Sequence, residues 1–261
     1  MTSTFSLGRI AGIPLGLHYS FFVLLALLTW RVSSGFLPNG YPDWSPWIYW
    51  ATGTVAAVLL SLSVVVHELA HSLVARRRGI PVHGIVMFIL GGVSELEADS
   101  KRARDEFLIA VVGPATSFLL SAILFGITVV LGGGDSPLEA IVLYLAIINL
   151  LLGIFNLLPV FPLDGGRVLR SVIWALTGSH TGATKVAAIL GRTAGLGLIV
   201  LGVWQFVSGN PLGGVWLGFI GWFVQVAARR SKSDAESDHK GSREGPAPLA
   251  GVRGQSPRPK E

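Results

Sequence analysis

The chain has 261 residues, of which 51% are hydrophobic and only 13% are charged, and its mean hydropathy is +0.62. This composition favours a helical bundle in lipid over a soluble domain, because several apolar runs approach the ~20 residues that span hydrocarbon. The charged residues behind the net charge of +5 are mostly in short loops and the tail. This distribution is the orientation signal of a membrane protein, so the charge implies no nucleic-acid partner. The absence of cysteine excludes disulfides and thiolate metal ligands.

Hydropathy predicts an all-α membrane protein with about six transmembrane helices, a short membrane-associated β segment after the second span and a disordered C-terminal tail. Residues 1–228 form the polytopic membrane domain, and the polar tail 229–261 cannot bury apolar surface. Pro14 suits the start of the first helix. The predicted spans are about 15–32, 47–75, 107–131, 138–158, 186–207 and 212–228.

Shorter segments connect these spans. Residues 33–46 are rich in turn residues and flanked by tryptophans, which indicates a loop at a membrane surface. The apolar piece 82–92 is too short to cross and predicts a strand or hairpin dipping into the membrane, whose edge is suited to pairing with an extended substrate. After the fourth span, two prolines and two glycines break the helix over 159–166, and 167–180 predicts a short surface helix.

The distribution of charge predicts the orientation of the chain. The stretches 76–104, 167–192 and 229–232 are basic, whereas 33–46 and 132–137 are not. Basic loops stay in the cytoplasm, and an even number of spans then places both termini there. The expected location is the cell (plasma) membrane.

The second predicted span carries the most informative stretch, Val64 to His71. His67 and His71 are four residues apart and lie on one face of a helix, with Glu68 after the first. This HExxH pattern is typical of zinc hydrolases, in which two imidazoles bind the metal and the carboxylate acts on a metal-bound water. Ionisable groups inside an apolar span cost about 2.5–3.5 kcal/mol each on the insertion scale, which favours a functional role.

Two histidines leave a zinc ion in need of a third protein ligand and an open position for water. Asp164 lies on the correct side, on broken backbone after a span, whereas Glu139 begins a span on the far side. The residues alone do not decide among the other acids. His18 and His83 are expected to be interfacial or surface residues rather than ligands. The remaining candidates in or near the basic loop are Glu95, Glu97, Asp99, Asp105 and Glu106.

With these motifs the chain resembles the site-2 protease family of intramembrane zinc metalloproteases, in its six-span branch, over about residues 5–228. The matching segments are His67 to His71, Gly91 to Glu97, Gly113-Pro114, Asn156 to Pro159, Pro162 to Gly166 and the opening Gly12 to His18. The resemblance implies that Asp164 is the third ligand of one zinc ion per chain and that Glu68 is the general base. It implies substrates that are transmembrane segments of membrane-anchored proteins.

Two departures from the family pattern accompany this resemblance. Family members commonly carry Asn three residues after the Gly-Pro of the third span, where this chain has Ser117, so a role of that Asn in binding substrate backbone does not transfer. Relatives in this branch often carry a CBS pair and others a PDZ domain; neither is expected here, so regulation is expected to come from elsewhere or from a separate regulatory partner. Asn156 is a candidate for holding substrate backbone or the oxyanion, with an interhelical hydrogen bond as the alternative.

Two other functions are considered. Membrane zinc proteases that process prenylated peptides also carry HExxH, but they take a glutamate from a later helix, and no later helix here offers one on the correct side. A non-proteolytic membrane metal-binding or transport protein is the alternative from another class. Transporters often show internal repeats and several polar residues at the membrane midplane, and neither feature is evident here.

Overall fold

The computed structural model describes residues 4–96, 100–132 and 134–241. Helices dominate the fold, and a small sheet lies beside them. The helices are α1 (Phe21–Arg31), α2 (Leu37–Gly40), α3 (Pro46–Arg77), α4 (Ala103–Leu131), α5 (Pro137–Asn156), α6 (Asp164–Thr177), α7 (His180–Val207) and α8 (Pro211–Gly241). The strands are β1 (Phe5–Ile10), β2 (Ile13–Leu17), β3 (Val82–Phe88) and β4 (Gly91–Leu96).

Within the described residues, six helical segments are long and apolar enough to cross a membrane, as the sequence predicts. The five later spans agree closely with the predicted ones, and among their beginnings the largest difference is at α7, which begins at His180 rather than 186. The surface helix predicted over 167–180 is α6, which begins slightly earlier, at Asp164.

The predicted first span is wrong at its beginning. Residues 15–17 belong to strand β2, and the apolar helical segment runs instead over Phe21–Gly40, through a π-helical turn at Val32–Phe36. Much of the loop predicted over 33–46 is therefore helical. Ile13 and Leu15 are buried on alternate positions, which is the periodicity of a strand. A five-residue run is too short for hydropathy to separate it from the helix that follows.

The strands form one sheet in the order β1-β2-β3-β4. The predicted segment 82–92 is confirmed as part of a hairpin, since β3 and β4 pair antiparallel with Met87 opposite Gly92. The amino-terminal hairpin β1-β2 joins it through a parallel pairing of β2 with β3, which the sequence analysis did not predict. An apolar cluster that includes Ile13, Val65 and Met87 packs the sheet against α3.

Local signals fix the helix that carries HExxH. Ser45 stands at the N-cap of α3 and Pro46 at its first position, where the missing N–H of proline is not needed. At the other end, the backbone turns at Gly79, whose φ of 78° favours glycine. The helix is thus continuous through His67 and His71, which keeps the two rings on one face.

The C-terminal part of the chain begins as helix. Helix α8 continues to Gly241, beyond the predicted end of the sixth span at 228, so the first residues of the predicted tail 229–261 extend a helix. The remaining tail residues, 242–261, lie outside the described residues.

Helices α7 and α8 pack closely: a Cβ added at Gly202 would lie 2.7 Å from the Gly214 carbonyl oxygen.

Candidate metal centre

The two histidines of α3 meet an aspartate from another helix. His67 and His71 are 3% and 4% exposed, and both rings point away from the sheet side of α3 toward α4 and α6. Asp164 is the first residue of α6, after a segment in which Pro159 and Pro162 prevent α5 from continuing. The break turns the backbone, so that the Asp164 side chain, 13% exposed, reaches the two rings.

The atoms that meet are His67 Nε2, His71 Nε2 and Asp164 Oδ2. The two Nε2 atoms are 3.1 Å apart, and Oδ2 lies 3.2 Å from the first and 3.1 Å from the second. Ligands about 2.0–2.1 Å from a tetrahedral zinc ion are separated by about 3.3 Å. The three atoms therefore form a nearly equilateral triangle of the size that a zinc site requires. Within the described residues, this is the one group of three His, Asp or Glu side chains that converges in this way.

The outer nitrogens of the two rings have partners on α4. His71 Nδ1 donates to the Ile109 carbonyl oxygen at 2.5 Å, and His67 Nδ1 lies 2.9 Å from Ser117 Oγ. A carbonyl oxygen can only accept, so Nδ1 of His71 carries a proton, and Nε2 is the ring nitrogen that would bind a metal once any proton on it is lost. Such outer partners fix the tautomer and the orientation of metal-binding histidines. The arrangement fits a divalent cation held by both Nε2 atoms.

The third group is suited to ligation by its charge. Burial of Asp164 opposes its ionisation, but the hydrogen bonds with His67 and His71 outweigh burial and hold the pKa of its carboxyl well below the usual range. Asp164 is thus a carboxylate at neutral pH, as a zinc ligand must be.

Glu68 is held from the opposite side by strand β4. Ser94 Oγ donates to Glu68 Oε2 at 2.8 Å and accepts a hydrogen bond from Ser72 Oγ at 3.1 Å. A Cβ added at Gly92 would lie 2.7 Å from Glu68 Cγ, so only glycine lets the strand approach this closely. No sequence pattern identified Ser94 as a site residue. The only indication in the sequence was its position shortly after Gly91-Gly92, within the segment Gly91 to Glu97 that matches the family.

Comparison with known proteins places this chain in a family. Residues 55–136 and 133–201 match the model of peptidase family M50. The chain belongs to peptidase family M50, the site-2 protease family. The resemblance inferred from the motifs is thereby confirmed.

Individual members of the family are similar over most of the chain. The protein named "Putative zinc metalloprotease Rip3" in Mycobacterium tuberculosis is 43% identical over 235 residues, which is 89% of this chain and 60% of the relative. Zinc metalloprotease MJ0392 of Methanocaldococcus jannaschii is 34% identical over 210 residues, 78% of this chain and 55% of the relative. The chain therefore spans about 60% of the length of the first of these curated relatives.

A solved structure shows the same fold. The site-2 protease from Methanocaldococcus jannaschii superposes with a TM-score of 0.60 at 30% identity and covers 87% of this chain and 94% of that one. Together with the six apolar helices, membership in this family identifies an integral membrane protein of the M50 type.

In this M50 chain, α4 passes so close to the two rings that one position on it must be glycine. A Cβ added at Gly113 would lie 2.6 Å from His67 Nε2, and closer still to the ring of His71. We expect Gly113→Ala to lower zinc affinity about 10- to 100-fold, the range seen when the surroundings of metal ligands are disturbed. Zinc content of the purified protein, measured after dialysis against a competing chelator, tests this.

Gly126 on the same helix is the matched control. A Cβ there has nothing within 4 Å, so Gly126→Ala should keep zinc. Alanine is favoured over glycine inside a helix by about 1 kcal/mol, so neither variant should be less stable through propensity alone. Equal zinc retention in both variants would contradict the close packing of α4 on the site.

Among the other acids considered as third ligands, three have different partners. Asp105 pairs with Arg78 at 3.2 Å, and Glu106 forms a buried pair with Arg170. Glu139 caps the amino terminus of α5 by accepting from the backbone of residues 134 and 136. None of these three belongs to the converging group.

The remaining candidates are on or near the sheet. Glu95 is on β4 and His83 on β3, and His18 follows β2; none of them belongs to the converging group. Glu97 and Asp99 lie outside the described residues.

The two asparagines of α5 differ in their contacts. Asn149 is fully buried and its Nδ2 donates to Ser63 Oγ of α3 at 3.3 Å, which is an interhelical hydrogen bond. Asn156, in the last turn of the helix, donates to the Leu152 carbonyl oxygen at 2.9 Å. An interhelical hydrogen bond was one alternative for Asn156, but here it is Asn149 that bonds to another helix, whereas the bond of Asn156 to Leu152 lies within α5. An oxyanion needs a hydrogen-bond donor. In the Asn156 side chain only Nδ2 can donate, because Oδ1 is an acceptor.

Proposed function

We propose that the chain is an intramembrane zinc metalloprotease that hydrolyses peptide bonds within or near transmembrane segments of membrane-anchored proteins, in regulated intramembrane proteolysis. The observation that carries the proposal is the triangle of His67 Nε2, His71 Nε2 and Asp164 Oδ2, with sides of 3.1–3.2 Å, beside the carboxylate of Glu68. The M50 family and the names of its zinc metalloprotease relatives support the same conclusion.

His67, His71 and Asp164 would hold one zinc ion per chain. When bound, zinc polarises a carbonyl and lowers the pKa of water towards about 7. Glu68 takes the proton from the attacking water and delivers it to the leaving amine. Ser94, which donates to Glu68 Oε2, keeps that carboxylate oriented between transfers. Asn156 would bind the oxyanion or the unwound substrate backbone through Nδ2, which has a second hydrogen besides the one donated to Leu152.

The surroundings of the site support a membrane-embedded substrate. An apolar cavity of about 540 Å³ lies between α1, α3, α5 and α8. It extends to Val64, one turn before Glu68, and to Leu163, the residue before Asp164. An apolar segment in this cavity would be next to the proposed ligands.

Strand β4 offers a way to hold that segment in an extended form. It is the last strand in the sheet order, and Ser94 ties it to Glu68. A peptide that adds to the outer edge of β4 would gain backbone hydrogen bonds as its own helix unwinds, and its carbonyls would become accessible for hydrolysis. The edge strand therefore supports cleavage of helical substrates after local unfolding.

A trapping experiment tests the proposed function. Candidate single-span membrane proteins are co-expressed with the wild type or with Glu68→Gln, and their fragments and complexes are compared. The proposal requires fragments with the wild type, loss of those fragments with Glu68→Gln or after chelation, and recovery of the uncut partner with the variant. Fragments that persist in the variant would contradict it. Zinc-dependent ion flux without cleavage would favour the transport alternative.

We expect both termini to be cytoplasmic in the cell (plasma) membrane, since the loop 76–104 and residues 229–232 are basic whereas 132–137 is not. His67 and His71, close to the basic end of α3, are then nearer the cytoplasmic face. Reporter fusions measure this: alkaline phosphatase should be active at positions 40 and 135, and a fluorescent protein should fold at 95 and 235. The opposite pattern would contradict this orientation and would place the site nearer the external face.

A further inference from the structure

Helix α4 presents one stripe of residues to the proposed metal site. Ile109, Gly113 and Ser117 are spaced four apart, and Glu106 precedes them by three, so all four share one face. The first three act on the histidines: Ile109 and Ser117 hold the outer nitrogens, and Gly113 leaves room for the rings. Glu106 continues the stripe toward α6, the helix that supplies Asp164.

Glu106 and Arg170 form a buried ion pair between α4 and α6. Their exposed fractions are 1% and 6%. Arg170 Nε donates to Glu106 Oε1 at 2.5 Å, and Nη2 contacts the same oxygen. The guanidinium also lies over the ring of Phe161, with Cζ 5.3 Å from the ring centroid. Arg170 thus contacts α4 and the segment that leads into Asp164 at the same time.

We propose that Glu106 and Arg170 are positioning residues for Asp164, which they hold in register with His67 and His71. The inference rests on the metal site of the proposed function. Arg170 follows Asp164 by six residues, about 9 Å along the axis of α6. Because Asp164 is on a different segment from the histidines, its approach depends on how α6 is placed against α4.

The chemistry of the pair favours this role over simple stabilisation. A buried ion pair is often no more stabilising than apolar residues of the same volume, because both charges lose their hydration. What the guanidinium adds is a defined orientation between the two helices, since its planar set of donors can pair with a carboxylate in only a few geometries. The cation–π contact of Arg170 with Phe161 restrains the guanidinium further. Asp164 needs such a defined orientation, because it lies on a different helix from the two histidines.

Cobalt binding tests the proposal without a substrate. The full chain, purified in detergent and stripped of metal, is titrated with Co²⁺, and both the Kd and the ligand-field spectrum are recorded. We expect Glu106→Gln and Arg170→Gln each to raise the Kd about 10- to 100-fold and to change the spectrum, because Asp164 no longer arrives in place. The matched control is Asp105→Asn, which removes the neighbouring carboxylate and its partly exposed pair with Arg78 and should match the wild type.

A double variant separates positioning from folding. Glu106→Leu with Arg170→Met replaces the pair by apolar side chains, and we expect it to recover the thermal midpoint while the Kd for Co²⁺ stays raised. Recovery of both the midpoint and the affinity would overturn the proposal, and so would single variants with the wild-type Kd and spectrum. If the single variants do not fold, the double variant alone decides.

Loss of the positioning role and loss of the metal site itself give different binding results. Wild-type protein that binds no Co²⁺, or a His67→Ala variant that binds as the wild type does, would overturn the proposed function and this inference with it. Binding that depends on His67 but is unchanged by the loss of Glu106 would overturn the positioning role alone.

Discussion

Replacing Glu68 by glutamine is expected to lower the rate of peptide cleavage about 10²- to 10⁴-fold, the contribution of a positioned general base, while metal content stays unchanged. Glutamine has nearly the same shape and can still contact Ser94, which lies 2.8 Å from the Glu68 carboxylate. It cannot take a proton from water. The expected result is therefore an intact, metal-loaded and inactive protein, measured by single-turnover cleavage of a membrane-anchored peptide beside zinc analysis of the same sample.

Glu139→Gln is the matched control for the same chemical change. Glu139 caps α5 through the backbone of residues 134 and 136 and does not belong to the converging group. This variant should keep both zinc and activity. A Glu68→Gln protein that cleaves at the wild-type rate would exclude Glu68 as the base, whereas one that loses zinc would show that Glu68 shapes the site instead.

The sequence predicted the parts of the site that local geometry determines. The spacing of His67 and His71 is fixed by the period of a helix, so the pattern alone places both rings on one face. The position of Asp164 was less determined, because several acids could reach the same region. The helix-breaking prolines before it gave the physical reason to prefer it, and the family resemblance added the rest. The fold brings its carboxylate to within 3.2 Å of both rings.

Contacts between segments that are distant in the chain could not be predicted from the sequence. Ser94 contacts Glu68 only because the β3-β4 hairpin folds back on α3, and the parallel pairing of β2 with β3 joins segments separated by helices α1 to α3. The short alternation in β2 merged with the apolar helix that follows, so hydropathy placed the first span too early. Periodicity within one element does not report such pairings.

Ser117 and Glu106 illustrate how tertiary contacts change the interpretation of a residue. Ser117 was noted only as a departure from the family pattern, yet its hydroxyl lies 2.9 Å from Nδ1 of His67. Glu106 was a candidate ligand, and the fold pairs it with Arg170 instead. In both cases the residue type allowed several roles, and the packing of α4 against its neighbours selected one.

Replacing Asp164 by alanine is expected to lower zinc affinity more than about 100-fold, above the 10- to 100-fold effect of disturbing outer contacts, and to abolish cleavage. Its carboxylate is the one group from outside α3 that completes the triangle within the described residues. Without it, two neutral imidazoles are left to hold a divalent cation. The spans contribute their packing independently of this side chain, so the protein should remain folded in detergent.

Asp164→Asn sharpens the test, because it keeps the shape of the side chain and removes only the charge. An amide oxygen is a weaker ligand for zinc than a carboxylate, so Asp164→Asn should also lose most of its metal, measured by zinc analysis after dialysis against a chelator. Glu97→Ala and Glu139→Ala should keep zinc. If Asp164→Ala and Asp164→Asn retain full occupancy and one of these glutamate variants loses it, the third ligand is the glutamate, and α6 has no direct part in binding the metal.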